Sequence, residues 1–457
     1  MKSNRSVLEE ILVIQNPWWK TKQVKKEKLG EFRRPMMLEI YKKLDSGKII
    51  SLIGPRRTGK TVLIHQIIQK LLDCGVDANR IIYLQADNPN VLGDNLLDEL
   101  MNFLSEFLSE PIDELKKPVY VFLDEVHKLE TWGEQVKHWH DLELKIKFIV
   151  SGSSAFRILK GSGESLIGRI DHNILLSLSF REFMNVRGDL NVELFGFDIF
   201  DLEQIKNNYY NLIPYQKKIE IELRNYLHRG GYPAIINMSI DETFRTLLEY
   251  KDLSIQRDIF EIEEVRDTKT LNELIYLLAS LIGSRVSYNK LGNALLSRVN
   301  TVKKYIGLLE DIYLVKESTV YKKPYSALRQ ERKLFFADTG MVNALNMTYE
   351  LKDISALVEN AVSVAVYRKS LEYEINPKQQ YWVETKEVDI IAVSKGRIMP
   401  IEVKYRETPQ DIGGLLSFME KFNTKTGIVV TKNLFKIEDQ EQGTILYVPA
   451  WLFMLCV

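Results

Sequence analysis

The chain has 457 residues, 45% hydrophobic and 27% charged, with 62 Lys+Arg balancing 62 Asp+Glu. That length exceeds what one hydrophobic core holds, so about two to four domains are expected. The composition is that of a globular chain, not a disordered or collagen-like one. Cys74 and Cys456 are the two cysteines, too few for a disulfide framework or a zinc site built from them alone. This fits a reducing cytoplasm. No apolar run approaches the roughly 20 residues that span a bilayer, and Met1-Lys2-Ser3-Asn4-Arg5 leads into no apolar signal region. A cytoplasmic location without membrane contact is expected. The neutral charge balance is uneven: residues 284–334 carry eleven Lys/Arg against four acids, and residues 20–34 carry seven against two. Such patches either hold polyanions or are solvated surface.

In chain order, residues 1–36 read as a helical, then basic and polar, leader with Trp18 and Trp19 as an aromatic anchor onto the next domain. Residues 37–46 read as an amphipathic helix. The apolar strand Ile49–Ile53 then runs into Gly54-Pro55-Arg56-Arg57-Thr58-Gly59-Lys60-Thr61, and a periodic helix, Thr61–Leu72, follows. Strand, glycine loop and helix form the context of a phosphate-binding P-loop. Its backbone N–H groups and the helix N-terminus face the anion. Gly54 through Val62 are the expected nucleotide contacts, with Lys60 reaching the β- and γ-phosphates and Thr61 ligating Mg²⁺. Arg80–Leu84 reads as a buried strand and Asn95–Leu108 as an amphipathic helix.

Val119–Leu123 followed by Asp124-Glu125 reads as a parallel strand delivering two carboxylates at its C-terminal end, where ligands sit in open α/β sheets. Asp124 is expected to hold Mg²⁺ through water and Glu125 to polarise the attacking water. The strand Ile146–Val150 ends in Ser151-Gly152-Ser153-Ser154, where Ser153 or Ser154 either hydrogen-bonds the γ-phosphate side or serves the turn. Arg169, just before the strand-like Ile170–Leu178, is either an arginine finger for a neighbouring subunit or a structural arginine. His138 and His140 lie about 200° apart around a helix, which argues against a shared metal. Asp124-Glu125-Val126-His127 spells a DExH box, but no second motor lobe follows it.

Residues 185–265 read as helical, with 194–222 the least legible. Arg229, beside Gly230-Gly231, either senses nucleotide or belongs to a helix end capped by Gly230. Residues 268–335 read as a winged helix: helices Leu271–Ile282, one from Ser287, and Asn300–Leu309 capped by Asn300, with Tyr313–Val320 and Lys333–Phe336 as the wing. The third helix either offers Ser297, Arg298, Thr301, Lys303 and Lys304 to DNA or belongs to a module that only mediates domain packing. Further on, Ser355–Lys369 is a helix carrying Glu359. Strands Glu387–Val393 and Arg397–Lys404 follow, then a helix (Ile412–Phe422) and a strand (Gly427–Thr431). Asp389 and Glu402-x-Lys404 match the D…ExK pattern of restriction-endonuclease-like folds. Asp389, Glu402 and Glu359 are the expected Mg²⁺ ligands there, and Lys404 the group that positions hydroxide or phosphate. The apolar tail Trp451–Val457 is expected to pack on a core.

The P-loop, Asp124-Glu125, Ser151–Ser154, Leu166-Ile167-Gly168-Arg169 and Leu178-Ser179-Phe180-Arg181-Glu182-Phe183 together resemble prokaryotic, often archaeal, AAA-type P-loop ATPases. Tyr226–Pro233, Arg257-Asp258-Ile259 and Phe336–Gly340 extend the resemblance to the group in which a winged helix and a nuclease-like DUF4143 region follow the ATPase. It implies an α/β chain with an AAA-type parallel-sheet core (37–185) after the extension 1–36, then a helical lid (186–266), a winged helix (267–338) and a restriction-endonuclease-like α/β domain (339–457). It also implies ATP and Mg²⁺ as cofactors, and a homo-oligomer such as a hexameric ring. Three activities fit: a DNA-acting motor or remodeller, a nucleotide-gated switch for a protein partner, and an ATP-gated metal-dependent DNase.

Overall fold

The computed structural model describes residues 4–88, 95–153, 166–187, 190, 194–260, 265, 267–321, 331–374, 377–409 and 411–456. Ser154 lies outside them. The chain divides into two compact units, Met1–Leu175 and Leu176–Val457.

The first unit contains α1 (Asn4–Gln15), α2 (Trp18–Thr21), α3 (Pro35–Lys43), β1 (Ile49–Ile53), α4 (Lys60–Asp73), β2 (Ile81–Gln85), α5 (Leu96–Leu108), β3 (Val119–Asp124), α6 (Trp132–Asp141), β4 (Ile146–Gly152) and β5 (Ile170–Ile174). The strands pair in the order β2-β3-β4-β1-β5, every pairing parallel. Helices covering both faces explain the near-continuous burial of β1 and β3, which sequence shows as unbroken apolar runs. β4 inserts between β1 and β3, so its serine tip stands between the P-loop and the acidic pair.

The edge strand β2 would expose unpaired backbone groups; the leader covers them. Asn16 accepts from Tyr83 N–H (2.6 Å) and donates to Tyr83 O (2.8 Å), and Gln15 Oε1 accepts from Gln85 N–H (2.9 Å). The indoles of Trp18 and Trp19 both donate to Ile81 O, and Trp19 lies against Phe103 and Phe107. The tryptophans are anchors, as read from the sequence.

The second unit opens with α7 (Phe180–Arg187), α8 (Leu202–Leu212), α9 (Gln216–Arg229), α10 (Ile240–Ser254) and a π-helical turn, Ile255–Ile259. α11 (Thr268–Ser280), β6 (Arg285–Val286), α12 (Tyr288–Ala294), α13 (Val299–Asp311), β7 (Val315–Val320) and β8 (Arg332–Phe336) then follow the helix, strand, helix, helix, strand, strand order of a winged helix. α13 begins one residue before Asn300, and its N-cap is Arg298 without a side-chain cap bond. Asn300 is therefore an exposed helix residue, not the cap expected from sequence.

The rest comprises α14 (Thr339–Leu345), α15 (Ser355–Leu371), β9 (Gln379–Val383), β10 (Glu387–Val388), β11 (Ile390–Ser394), β12 (Arg397–Lys404), α16 (Gly413–Phe422), β13 (Thr426–Thr431), β14 (Lys436–Gln440), β15 (Gly443–Pro449) and α17 (Ala450–Phe453). β9 and β10 join the wing in one sheet, β10-β9-β7-β8-β6, while β11-β12-β13-β15-β14 form another. The wing therefore does not end where a winged helix would: β7 pairs parallel with β9, Ser318 opposite Gln379.

Two motifs of the resemblance dock on each other. Asp338 caps α14, and its Oδ2 accepts from Gly231 N–H (2.8 Å). A Cβ on Gly230 would stand 1.9 Å from Asp338 Oδ1, which explains the glycine. Arg229 donates to the carbonyls of Ile236 (2.8 Å) and Met238 (2.9 Å). Its guanidinium is spent on local backbone, so the helix-end reading holds over the nucleotide-sensing one. The poorly legible 194–222 segment packs on the C-terminal tail: Tyr209 stacks on Phe435 with ring centroids 3.9 Å apart, Phe197 N–H donates to Cys456 O, and Trp451 to Cys456 are buried.

Candidate functional site

The P-loop bridges the C-terminal end of β1 and the first turn of α4. Gly54 has φ 154°, and a Cβ there would stand 2.1 Å from Leu175 O, so only glycine allows β5 to come this close. Gly59 (φ 98°) is the N-cap of α4 and leaves its first N–H groups free of side-chain caps, the arrangement that suits an anion. Buried Lys60 donates to Gly54 O (2.8 Å) and Pro55 O (2.9 Å). Thr58 Oγ1 donates to Pro55 O (2.9 Å), and Arg34 donates to Thr58 O (3.3 Å). Arg56 is half-buried, Arg57 is exposed with φ 67°, and Val62 packs beside Gly30.

Asp124 is the hub. Its Oδ2 accepts from Thr61 Oγ1 (2.7 Å) and from the Tyr83 hydroxyl (2.9 Å), and its Oδ1 accepts from Ser151 Oγ and from Glu125 N–H (3.1 Å). Parallel register explains the set: Tyr83 pairs with Phe122 and Val150 with Leu123, so Tyr83 shares a face with Asp124 and Ser151 falls beside it. Burial and then the Asp124 charge push the Tyr83 phenol well above its usual range, which keeps it a hydrogen-bond donor. Burial lowers His65, so it stays neutral and its Nδ1 donates to Thr61 O (2.7 Å), bracing the helix turn that carries Thr61. Thr61 Oγ1 and the Asp124 carboxylate are hard oxygen donors of the kind Mg²⁺ takes, so these residues fit that ion.

Glu125 adopts a left-handed conformation (φ 56°) and lies 3.2 Å from His127 Nδ1. Ser153 is buried just beyond β4; the serine that reaches Asp124 is Ser151. Sequence reasoning missed Tyr83, Ser151 and His65, whose roles appear only once register is known. Arg169 sits one residue before β5, whose Ile170 pairs with Ile49 at the start of β1. A five-residue strand at about 3.3 Å per residue separates that end from the P-loop end, so Arg169 cannot reach its own chain's site. Half-exposed, it pairs with Asp141 (2.6 Å).

Arg298, Lys303 and Lys304 are exposed on α13, and Lys303 also stands 5.3 Å from the Tyr288 ring centroid. Asp389 and Glu359 come together around Lys333 of β8, while Glu402 is held by Lys404. The Lys333 ammonium contacts Glu387 (2.5 Å), Glu359 (2.7 Å) and Asp389 (3.0 Å). Lys404 pairs with Glu402 (2.7 Å). Among the described residues no group of three or more His, Cys, Asp or Glu is arranged to hold a metal ion. A lysine thus stands between two of the carboxylates expected to ligate Mg²⁺, Glu359 and Asp389.

A parallel sheet with the P-loop after its fourth-ordered strand and an acidic pair two strands away is the fold of a P-loop nucleotide-binding ATPase core. Residues 46–184 match the model of an AAA domain family. Residues 220–352 match a domain of unknown function, DUF8612, and residues 355–453 another, DUF4143. The chain is 25% identical over 434 residues to an uncharacterized protein of Methanocaldococcus jannaschii, covering 91% of this chain and 86% of that one. It is 24% identical over 432 residues to an uncharacterized protein of Haemophilus influenzae, covering 90% and 95%. Among solved structures, the Thermotoga maritima RuvB Holliday junction branch migration motor is similar at 16% identity and a TM-score of 0.30, over 69% of this chain and 99% of that one. The Aeropyrum pernix ORC1 protein in complex with DNA is similar at 12% identity and a TM-score of 0.29, over 70% and 94%. No described helix is long and apolar enough to cross a membrane.

Proposed function

We propose that the chain is an oligomeric AAA-type ATPase that hydrolyses Mg-ATP and acts on DNA. The observation that carries the reading is the 2.7 Å hydrogen bond joining Thr61 of the P-loop to Asp124, with Glu125 next in the chain. The loop N–H groups and the α4 terminus bind the phosphates. Lys60 exchanges the carbonyls of Gly54 and Pro55 for β- and γ-phosphate oxygens. Thr61 and Asp124 would hold Mg²⁺, which would supply charge neutralisation at those phosphates. Glu125 accepts the hydrogen bond of the attacking water and orients it. Ser151 and Tyr83 keep the Asp124 carboxylate in one orientation, and Ser153 lies near enough in sequence to serve the γ-phosphate side.

Arg169, remote from its own P-loop, is available to a neighbouring copy, with Asp141 as its partner meanwhile. Arg169→Ala is expected to cut turnover by about 10³-fold, the scale of an arginine finger, while ATP affinity stays within about threefold. Phosphate release beside a nucleotide-binding titration checks this, and unchanged turnover would remove Arg169 from the site.

The DNA part rests on the exposed cations of α13 in a winged-helix setting. In a variant with Arg298, Lys303 and Lys304 all replaced by alanine, duplex affinity is expected to drop at least about tenfold, with a shallower salt dependence by up to roughly three phosphate contacts. Fluorescence anisotropy at several salt concentrations measures both. Equal binding by the wild type and the variant would favour a nucleotide-gated switch for a protein partner.

A further inference from the structure

We propose that Lys333 is the resident cation of the carboxylate cluster in the DUF4143 region, standing where a divalent metal would stand and clamping that region to the wing strand β8. An ammonium has three N–H donors and no acceptor; here it donates to Glu359 Oε1 (2.7 Å) and Asp389 Oδ1 (3.0 Å) and pairs with Glu387 at 2.5 Å. The side chain is 2% exposed, so this lysine is not snorkelling to water. A buried charge of this kind persists only when paired and hydrogen-bonded.

The three contact distances exceed the 2.0–2.1 Å of a Mg²⁺–oxygen bond and come close to the 2.3–2.6 Å of Ca²⁺. A metal and this ammonium therefore compete for the same centre. The remaining ligand expected from the D…ExK pattern is engaged too. Glu402 Oε1 pairs with Lys404, and its Oε2 is buried without a hydrogen-bond partner. Asp389 Oδ2 accepts from Val403 N–H (2.8 Å). Among the described residues Arg285 also adjoins the cluster, 3.2 Å from Glu387. The carboxylates of Glu359, Glu387 and Asp389 crowd round one buried ammonium. Removing the ammonium leaves an anionic pocket with hard oxygen ligands.

The connection also runs between family regions. Lys333 lies in the segment that matches DUF8612, and its partners lie in the segment that matches DUF4143. On this account the C-terminal region is held in place by an ion cluster and does not cut DNA with a metal.

The test is Mn²⁺ binding by the full chain without nucleotide, followed by the EPR signal of free Mn²⁺. Wild type is expected to show no Mn²⁺ site that Asp389→Asn removes. Lys333→Met is expected to gain one Mn²⁺ site at micromolar concentration, and Lys333→Met combined with Asp389→Asn to lose it. An Asp389-dependent site in the wild type would overturn the proposal, as would a folded Lys333→Met variant that gains none. If Lys333→Met does not fold, the wild-type comparison with Asp389→Asn decides alone.

Discussion

Glu125→Gln is expected to bind Mg-ATP with affinity within about threefold of wild type and to release phosphate roughly 10²–10⁴-fold more slowly, the contribution typical of a positioned base. The amide has the shape of the carboxylate, and the left-handed backbone at Glu125 is untouched, so the strand, the loop and Asp124 keep their geometry. What disappears is the negative charge that polarises the attacking water. A nucleotide-binding titration beside phosphate release separates the two effects. Turnover at the wild-type rate would transfer the role to another group near the tip of β3.

Lys60→Ala is expected to act one step earlier, on binding. On the proposed reading the lysine supplies a charge-assisted contact to each of two phosphate groups, about 1.5–3 kcal/mol apiece, so ATP affinity is expected to fall by at least about 10²-fold and turnover to vanish at ordinary ATP concentrations. Lys60 also ties the loop through Gly54 O and Pro55 O. Part of the loss is therefore loop disorder, and a melting curve without nucleotide measures that part. ATP affinity equal to wild type would contradict the assigned role.

The first unit was legible because its chemistry is local. A buried parallel strand is an apolar run, and a P-loop is eight consecutive residues, so β1, β3, Lys60, Thr61 and the Asp124-Glu125 pair could be read directly. Tyr83 and Ser151 could not, since nothing near them in sequence says which residue of the next strand they face. Register decides that, and it puts Ser151, not Ser153, on Asp124. Lys333 was read from the sequence only as the start of the wing strand Lys333–Phe336, within a basic stretch. In the fold it points inward, because β9 and β10 extend the wing sheet and bring Glu387 and Asp389 over it. β11 and β12 are antiparallel and β12 is parallel to β13, but the strand expected over Glu387–Val393 breaks at Asp389 between two sheets. The D…ExK spacing was silent on what sits between the carboxylates. Residues 194–222 were opaque for a related reason: their apolar side chains, Tyr209 among them, are matched to Phe435 and Trp451 more than 200 positions away.

The central claim is that this chain hydrolyses ATP in a way that responds to DNA, and steady-state phosphate release by the purified full-length protein, with Mg-ATP and with or without duplex, single-stranded and branched DNA, tests it most directly. Turnover stimulated several-fold by at least one of these DNAs, and absent in Glu125→Gln, is the predicted result. No turnover under any condition, or turnover identical with and without every DNA, would contradict it.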